Sequence, residues 1–216
     1  VIVAGLVSTR EEYDHLFSIY VPIAGAVFAI VVLAVAFAVL RYRHNARPTR
    51  RGGADMLEGS YAVLLVCVVA FLLFETFTAE HRVDTVAERE HPSLTVNVTA
   101  ARWEWEFNYP GHNITARSGT VGYQPLVVPA DEAIRFNLTS QDVIHSLWIP
   151  ELRFKRDLIR GTVEHVTLSF TQLGTFDGQC AEFCGEGHAA MIFRVDVLAP
   201  ATFTRWLAAH RGAATT

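Results

Sequence analysis

Residues 179–191 read Gln-Cys-Ala-Glu-Phe-Cys-Gly-Glu-Gly-His-Ala-Ala-Met and place Cys180, Cys184, His188 and Met191 in one short loop. Thiolates and thioethers are soft ligands and imidazole is borderline, a set that suits copper far better than magnesium or calcium. A mononuclear blue-copper site needs one thiolate, two imidazoles and a weak axial Met. Here a second thiolate stands four residues after the first, and two thiolates that close can each be shared between two metal ions. Two metals need more terminal ligands than the loop supplies, so a second His must come from elsewhere. His145, in Asp142-Val143-Ile144-His145-Ser146-Leu147-Trp148-Ile149-Pro150, is the best candidate. Two plainer readings stand beside this one. Cys180 and Cys184 could close a disulfide in an oxidising compartment. They could also be half of a zinc site, although zinc rarely takes Met and prefers other Cys and His spacings. The presence of His188, Met191 and His145 together favours copper.

The pattern Cys-x-Glu-x-Cys-x-x-x-His-x-x-Met over 180–191, preceded by Asp-Val-Ile-His-Ser-x-Trp-x-Pro over 142–150, is long and gapless. It resembles subunit II of the haem–copper oxidases, and within them the cytochrome c oxidase branch, which carries the binuclear copper centre CuA. The resemblance implies that Cys180 and Cys184 bridge both coppers. It implies that His145 and Met191 complete one copper, and that His188 and the backbone carbonyl of Glu182 complete the other. The Glu182 side chain would then reach a magnesium or manganese ion at the boundary with subunit I, and a hard carboxylate suits such an ion. An electron shared across two thiolate-bridged ions changes each bond length less than an electron held on one ion. A rigid scaffold that holds the ligands still adds to that effect. In the family an exposed Trp of an aromatic stretch takes the electron from cytochrome c. The run Arg102-Trp103-Glu104-Trp105-Glu106-Phe107-Asn108-Tyr109 makes Trp103 the expected residue, with Trp105 on the same strand face as its competitor. Glu104, Glu106, Asp142 and Glu186 would offer a negative patch to a lysine-rich donor.

The elements that must position these residues begin with the composition. A chain of 216 residues allows one or two domains. Its hydrophobic content of 51% is high for a soluble protein and points to membrane segments. Three cysteines exclude a disulfide-framework fold, and the third, Cys67, lies in an apolar run as a packed or lipid-facing residue. A net charge of −4 decides nothing about partners.

Apolar runs over 16–40 and 59–77 are each long enough to cross a bilayer, which takes roughly 20 residues. Pro22 falls near the start of the first, where a first turn tolerates it. Between them the loop 41–58 holds Arg41, Arg43, Arg47, Arg50 and Arg51. Arginine beside a membrane helix marks the cytoplasmic side; wedged between apolar runs, the cluster is a poor nucleic-acid patch. The tail 1–15 and everything after Phe77 are therefore expected outside. Glu58 opens the second run and Glu75 lies near its outer end, read as interfacial. The family carries a Glu at the start of this helix, at the inner mouth of a proton pathway. Met56-Leu57-Glu58-Gly59-Ser60-Tyr61 resembles that position, with Tyr61 where the family has Trp and without the Pro that often follows.

Residues 78–93 are charged and aperiodic, as in a linker that can be partly helical. From Leu94 onward apolar residues alternate with polar ones, in Leu94/Val96/Val98, Trp103/Trp105/Phe107, Ile134/Phe136/Leu138, Val166/Leu168/Phe170 and Met191/Phe193/Val195/Val197. Such alternation marks half-buried strands. Turn signals stand at Tyr109-Pro110-Gly111, Ser118-Gly119, Val128-Pro129, Gly174 and Gly178. The tail from Pro200 to Arg211 reads as a helix with Phe203, Trp206 and Leu207 on one face. Sequons at Asn97, Asn113 and Asn137 are read as chance. The segment around Asp157 resembles one that lies against subunit I, with Arg160 where the family has Pro. The expected fold is a two-helix transmembrane hairpin followed by an all-β, cupredoxin-like Greek-key sandwich or barrel over 94–216.

The resemblance as a whole implies the electron-accepting subunit of a cytochrome c oxidase. Such a subunit passes electrons from cytochrome c, or from a fused or bound c-type donor, to haem in subunit I. Oxygen reduction and proton translocation would belong to that partner. A haem–copper nitric oxide reductase with a similar copper subunit fits the motif as well, and the partner's chemistry separates the two. A copper-free subunit of the quinol-oxidase type lacks the matching Cys and His. A free-standing copper carrier leaves Glu182 and Glu58 unexplained, and nitrous-oxide reductase needs a further large domain. The Arg- and Ala-rich composition favours a prokaryotic plasma membrane over a mitochondrion.

Overall fold

The computed structural model describes residues 9–43, 55–89 and 91–211. Most of the expected tail and of the basic loop, residues 1–8 and 44–54, lies outside the described residues, as do residues 90 and 212–216. The chain divides into a helical unit, Tyr13–His81, and a second unit that contains the strands of the described residues.

In the helical unit, α1 (Thr9–Tyr42) and α2 (Asp55–Arg89) are both longer than the apolar runs that they contain. Their stretches Arg10–Tyr42 and Glu58–Arg82 are long and apolar enough to cross a membrane. Phe28, Leu33 and Val66 are each more than two thirds exposed, as they would be against lipid or another protein. Cys67 is likewise exposed. Tyr20 of α1 hydrogen bonds to Thr76 Oγ1 (2.6 Å) and donates to Leu72 O (3.0 Å), joining the early part of α1 to the late part of α2. One expectation is corrected here. Pro22 lies inside α1 rather than in its first turn, because the helix starts upstream of the apolar run. Within a membrane-crossing helix, neighbouring side chains and helices re-satisfy the backbone group that Pro frees. The expected linker is helical as far as Arg89. Polarity ends a membrane span, but it does not end a helix.

Two five-stranded sheets face each other in the second unit. One has the order β3-β2-β1-β5-β8, from β1 (Leu94–Ala101), β2 (Glu104–Tyr109), β3 (Ile114–Gly119), β5 (Ile134–Ser140) and β8 (Glu164–Leu168). The other has the order β4-β10-β9-β6-β7, from β4 (Leu126–Pro129), β6 (His145–Ile149), β7 (Phe154–Leu158), β9 (Gly174–Cys180) and β10 (Ile192–Leu198). Pairs β1/β5 and β10/β4 are parallel and the remaining pairs antiparallel. Strictly alternating burial in β1, β2 and β10 sends Val96, Val98, Trp105, Phe107, Phe193 and Val195 into one core between the sheets. Side chains of period two do this wherever one face of a sheet is covered. The closing helix α3 (Pro200–His210) buries Phe203 and packs Trp206 and Leu207 against that core.

Gly174 and Gly178, read as turns, belong to β9. Gly178 has a packing cause. A Cβ there would overlap the Phe193 ring, standing 2.6 Å from its Cε1, so the neighbouring strand can bring its aromatic ring over this position only if the side chain is absent. Pro129 likewise ends β4 instead of turning the chain.

Candidate metal centre

Three adjacent strands of one sheet, β10, β9 and β6, deliver the candidate ligands to one end of the sandwich. His145 is the first residue of β6 rather than a loop residue, and Cys180 is the last of β9. Met191 stands immediately before β10, and His188 opens a single 3₁₀ turn, His188–Ala190. Backbone hydrogen bonds fix their register. Cys180 N donates to Met191 O (3.0 Å) and Ala181 N to Ser146 O (3.0 Å), so Cys180 is held between the two flanking strands. Met191 O also accepts from Trp105 Nε1 (3.2 Å).

The donor atoms converge. Cys180 and Cys184 sulfurs are 3.9 Å apart and both thiols are free, not joined in a disulfide. Cys180 Sγ lies 3.8 Å from His145 Nδ1 and 3.2 Å from the Glu182 carbonyl oxygen. Cys184 Sγ lies 3.5 Å from His188 Nδ1 and 3.8 Å from Met191 Sδ. His145, Cys180 and Cys184 by themselves form a cluster with the spacing of metal ligands. His145 and Met191 are fully buried, and both cysteines nearly so. All six expected positions thus meet in one place, with Glu182 present through its carbonyl while its residue is exposed.

Asp142, expected as a surface charge for a donor, has a different place. His145 Nε2 lies 2.9 Å from Asp142 Oδ1. Once Nδ1 loses its proton, Nε2–H donating to this carboxylate turns the Nδ1 lone pair towards the sulfurs, the usual way in which a carboxylate orients a ligating imidazole. The same carboxylate accepts from Val143 N (2.7 Å), Arg102 N (2.9 Å) and Arg102 Nε (3.1 Å). Burial alone would raise its pKa. The hydrogen bonds from His145, Val143 and Arg102 outweigh that and hold it well below the ordinary carboxylate range. Burial would lower the pKa of His145, but the Cys180 sulfur and the Asp142 carboxylate together raise it. The two thiols move apart. Burial opposes ionisation of both, yet hydrogen bonds from His145 and the Ser146 N–H bring Cys180 down to about 6. Burial, and then the neighbouring Cys180 charge, push Cys184 up to about 12. An Asp three residues before a His at the start of a strand is the sequence signal that could have marked Asp142 as this partner.

The two tryptophans separate. The strand begins at Glu104, so Trp103 precedes it and only Trp105 shares the inward face with Phe107. Trp105 is fully buried, edge-on to His145 (centroids 6.3 Å) and Phe193 (5.3 Å), and has no surface to offer a donor. Trp103 is half-buried, and its Nε1 donates to Cys184 O (3.3 Å). Of the four expected docking carboxylates, Asp142 and Glu106 are paired with Arg102 and Arg117, while Glu104 and Glu186 remain. Glu58 is exposed in the first turn of α2, Glu75 is half-buried further along it, and Asp157 is exposed on the sheet-edge strand β7. Glu58 and Glu75 belong to the helical unit, whereas Asp157 stands opposite Ser146, the neighbour of His145, in the β6/β7 pairing.

Residues 119–198, which hold His145 and the whole ligand loop, match the family model described as cytochrome C oxidase subunit II, periplasmic domain. Cytochrome c oxidase subunit 2 of Alkalihalophilus pseudofirmus is 30% identical over 190 residues, covering 84% of this chain and 54% of that protein. The subunit of the same name from a Bacillus species is 33% identical over 174 residues, covering 76% of this chain and 47% of its relative. This chain therefore spans about half the length of these curated relatives. Among solved structures, the periplasmic domain of subunit II of cytochrome oxidase from Bradyrhizobium japonicum aligns with a TM-score of 0.51 and 28% identity. The alignment covers 56% of this chain and 94% of that one.

Proposed function

Since this chain belongs to the cytochrome c oxidase subunit II family, we propose that it is the electron-uptake subunit of a respiratory cytochrome c oxidase, taking electrons from cytochrome c and passing them to haem in subunit I. The observation that carries the reading is the convergence of two free thiols, two imidazoles, a thioether and a carbonyl, with His145, both cysteines and Met191 buried. That donor set fits soft metal ions. Cys180 and Cys184, with His145, Met191, His188 and the Glu182 carbonyl, would hold a pair of coppers. When bound, such a centre supplies one-electron transfer with little change in geometry. The protein's own contribution is positional. Strands β6, β9 and β10 fix the ligands, Asp142 holds the His145 tautomer, and burial excludes water from the sulfurs.

Trp103 would receive the electron from the donor, because its indole reaches the carbonyl of Cys184 from the half-buried side. The Glu182 side chain, free while its carbonyl faces Cys180, is suited to magnesium or manganese at the boundary with subunit I. Glu58, exposed on the first turn of α2, would border the inner mouth of a proton path. The helices would anchor the chain in a prokaryotic plasma membrane, with the β-domain on the periplasmic face and the oxidase subunits as partners. The test is to load the full chain with copper in detergent and record metal content and EPR. Two coppers per chain sharing one unpaired electron are expected. One copper with a four-line spectrum would refute the binuclear reading.

A further inference from the structure

Trp103 is held by glycines on both of its sides. Its backbone carbonyl accepts from Thr120 N (3.1 Å) and Thr120 Oγ1 (3.3 Å). Gly119, one residue earlier, makes that approach possible: a Cβ there would overlap the Trp103 carbonyl oxygen and stand 2.9 Å from Glu104 Cα. The indole rests on the ligand loop. A Cβ at Gly187 would stand 2.6 Å from Trp103 Cγ and 2.7 Å from Cε3, while a Cβ at Gly185 would meet Cζ2 and Nε1 of the same ring at 3.4 Å. The indole N–H then reaches the carbonyl of Cys184. Gly187 itself is half-buried and adjoins His188 in sequence. No role in ligation or in a turn with positive φ accounts for a glycine at this place, since its φ is −85°. Any L-residue adopts that backbone angle. The requirement is for space alone, and the space is taken by Trp103.

We propose that Gly187 is a positioning residue for electron uptake: the lack of a side chain at this position seats the Trp103 indole flat on the ligand loop, in hydrogen-bond contact with the residue that carries one of the two thiols. The proposal rests on the electron-uptake reading above. A side chain at 187 would lift the ring from the loop and lengthen the gap across which the electron must pass, while Cys180, Cys184, His188 and Met191 keep their own backbone bonds. Misplacing a reacting partner by about 1 Å can cost up to roughly 100-fold in rate, so the missing methyl group has leverage well beyond its size.

The test compares Gly187→Ala, Trp103→Phe and the double variant in the full chain, in detergent. Two readouts are taken. The first is the Trp103 indole N–H resonance, assigned by its loss in Trp103→Phe and measured on metal-free protein. The second is the rate of reduction of the copper-loaded chain by a soluble c-type cytochrome, beside reduction by hexaammineruthenium(II), a small complex that does not need Trp103. In Gly187→Ala the indole resonance should shift. Copper content and EPR should be unchanged, reduction by the cytochrome should fall roughly tenfold or more, and reduction by ruthenium should stay within about twofold. The double variant should be no slower than Trp103→Phe alone, because residues acting as one unit do not add. An unshifted resonance overturns the seat, and a shifted resonance with unchanged cytochrome rate overturns its role. Loss of copper in Gly187→Ala overturns the proposal too, since the residue would then serve the ligand loop directly. A native chain that shows the indole contact but takes up no pair of coppers refutes the electron-uptake reading and leaves the seat as a structural contact only.

Discussion

Replacing Asp142 separates the contribution of the His145 ring from that of the carboxylate behind it. The ring is fully buried, so its Nε2–H must find an acceptor inside the protein, and Asp142 Oδ1 at 2.9 Å is that acceptor. Asp142→Asn keeps an oxygen for the imidazole. It removes the charge, and its new amide cannot accept from Arg102, so the Arg102 ion pair at 3.1 Å is lost as well. That pair is half exposed on the arginine side and is worth at most about 1 kcal/mol. The larger effect is on the ligand. A carboxylate raises the basicity of the imidazole and fixes its tautomer, and loss of such a partner typically weakens metal binding by about 10–100-fold, or about 1.4–2.8 kcal/mol. Asp142→Asn should fall near the lower end. Asp142→Ala, which leaves the buried N–H without a partner at a cost of about 1–3 kcal/mol, should fall near the upper end. Competition of the loaded chain against a chelator of known copper affinity measures both. The reasoning is refuted if Asp142→Ala holds copper as tightly as the native protein. The same follows if the two variants lose affinity equally, because the acceptor would then be irrelevant.

Copper uptake should be coupled to protons. In the metal-free chain Cys184 is pushed up to about 12 and must lose a proton to become a ligand, whereas Cys180, near 6, is already ionised at neutral pH. Affinity should therefore rise with pH across the neutral range and more steeply below about 6, where both thiols hold protons; an affinity independent of pH would exclude the account. Gly178→Ala should destabilise the β-domain by about 1–3 kcal/mol, the cost of overpacking, because the Phe193 ring must leave its place over β9. A shift of the denaturation midpoint, partly restored by Phe193→Leu, checks this, and an unchanged midpoint rejects it. Reduction by a lysine-rich cytochrome should depend only weakly on salt, since Asp142 and Glu106 are already paired with arginines. Glu186→Gln should flatten the remaining dependence measured by stopped flow, and a steep dependence in that variant would point to charges elsewhere.

What the sequence made legible, and what it hid, follow from how local each signal is. The ligand loop is contiguous, so Cys180, Cys184, His188 and Met191 can be read without knowing the fold. Strands β1, β5 and β10 are half-buried, and their alternation is a direct print of one covered face. That same alternation explains the sequons at 97 and 137. Asn-x-Thr in a strand puts both polar groups on the outer face, where Asn137 Nδ2 donates to Asn97 Oδ1 (2.8 Å) and Asn137 Oδ1 meets His165 Nδ1 (2.7 Å). Strands without a single covered face gave no such print. β4 and most of β6 are buried on both faces, and the edge strand β7 exposes Lys155, Arg156 and Asp157 in succession. Charges of that kind protect an unpaired sheet edge and break the alternation that would reveal it. Gly178 reads as a turn until Phe193, on the next strand, is placed over it. Trp103 and Trp105 share a period in the sequence but not a face, because the strand starts between them. For Gly178 and Trp103 the deciding partner is remote in the chain, Phe193 for the one and Cys184 with Gly187 for the other, and Asp142 is braced both by nearby His145 and by remote Arg102. A site whose ligands are local but whose supports are remote discloses its chemistry in the sequence before it discloses what tunes that chemistry, and for this reason Asp142 and Gly187 are the positions where substitution is most informative.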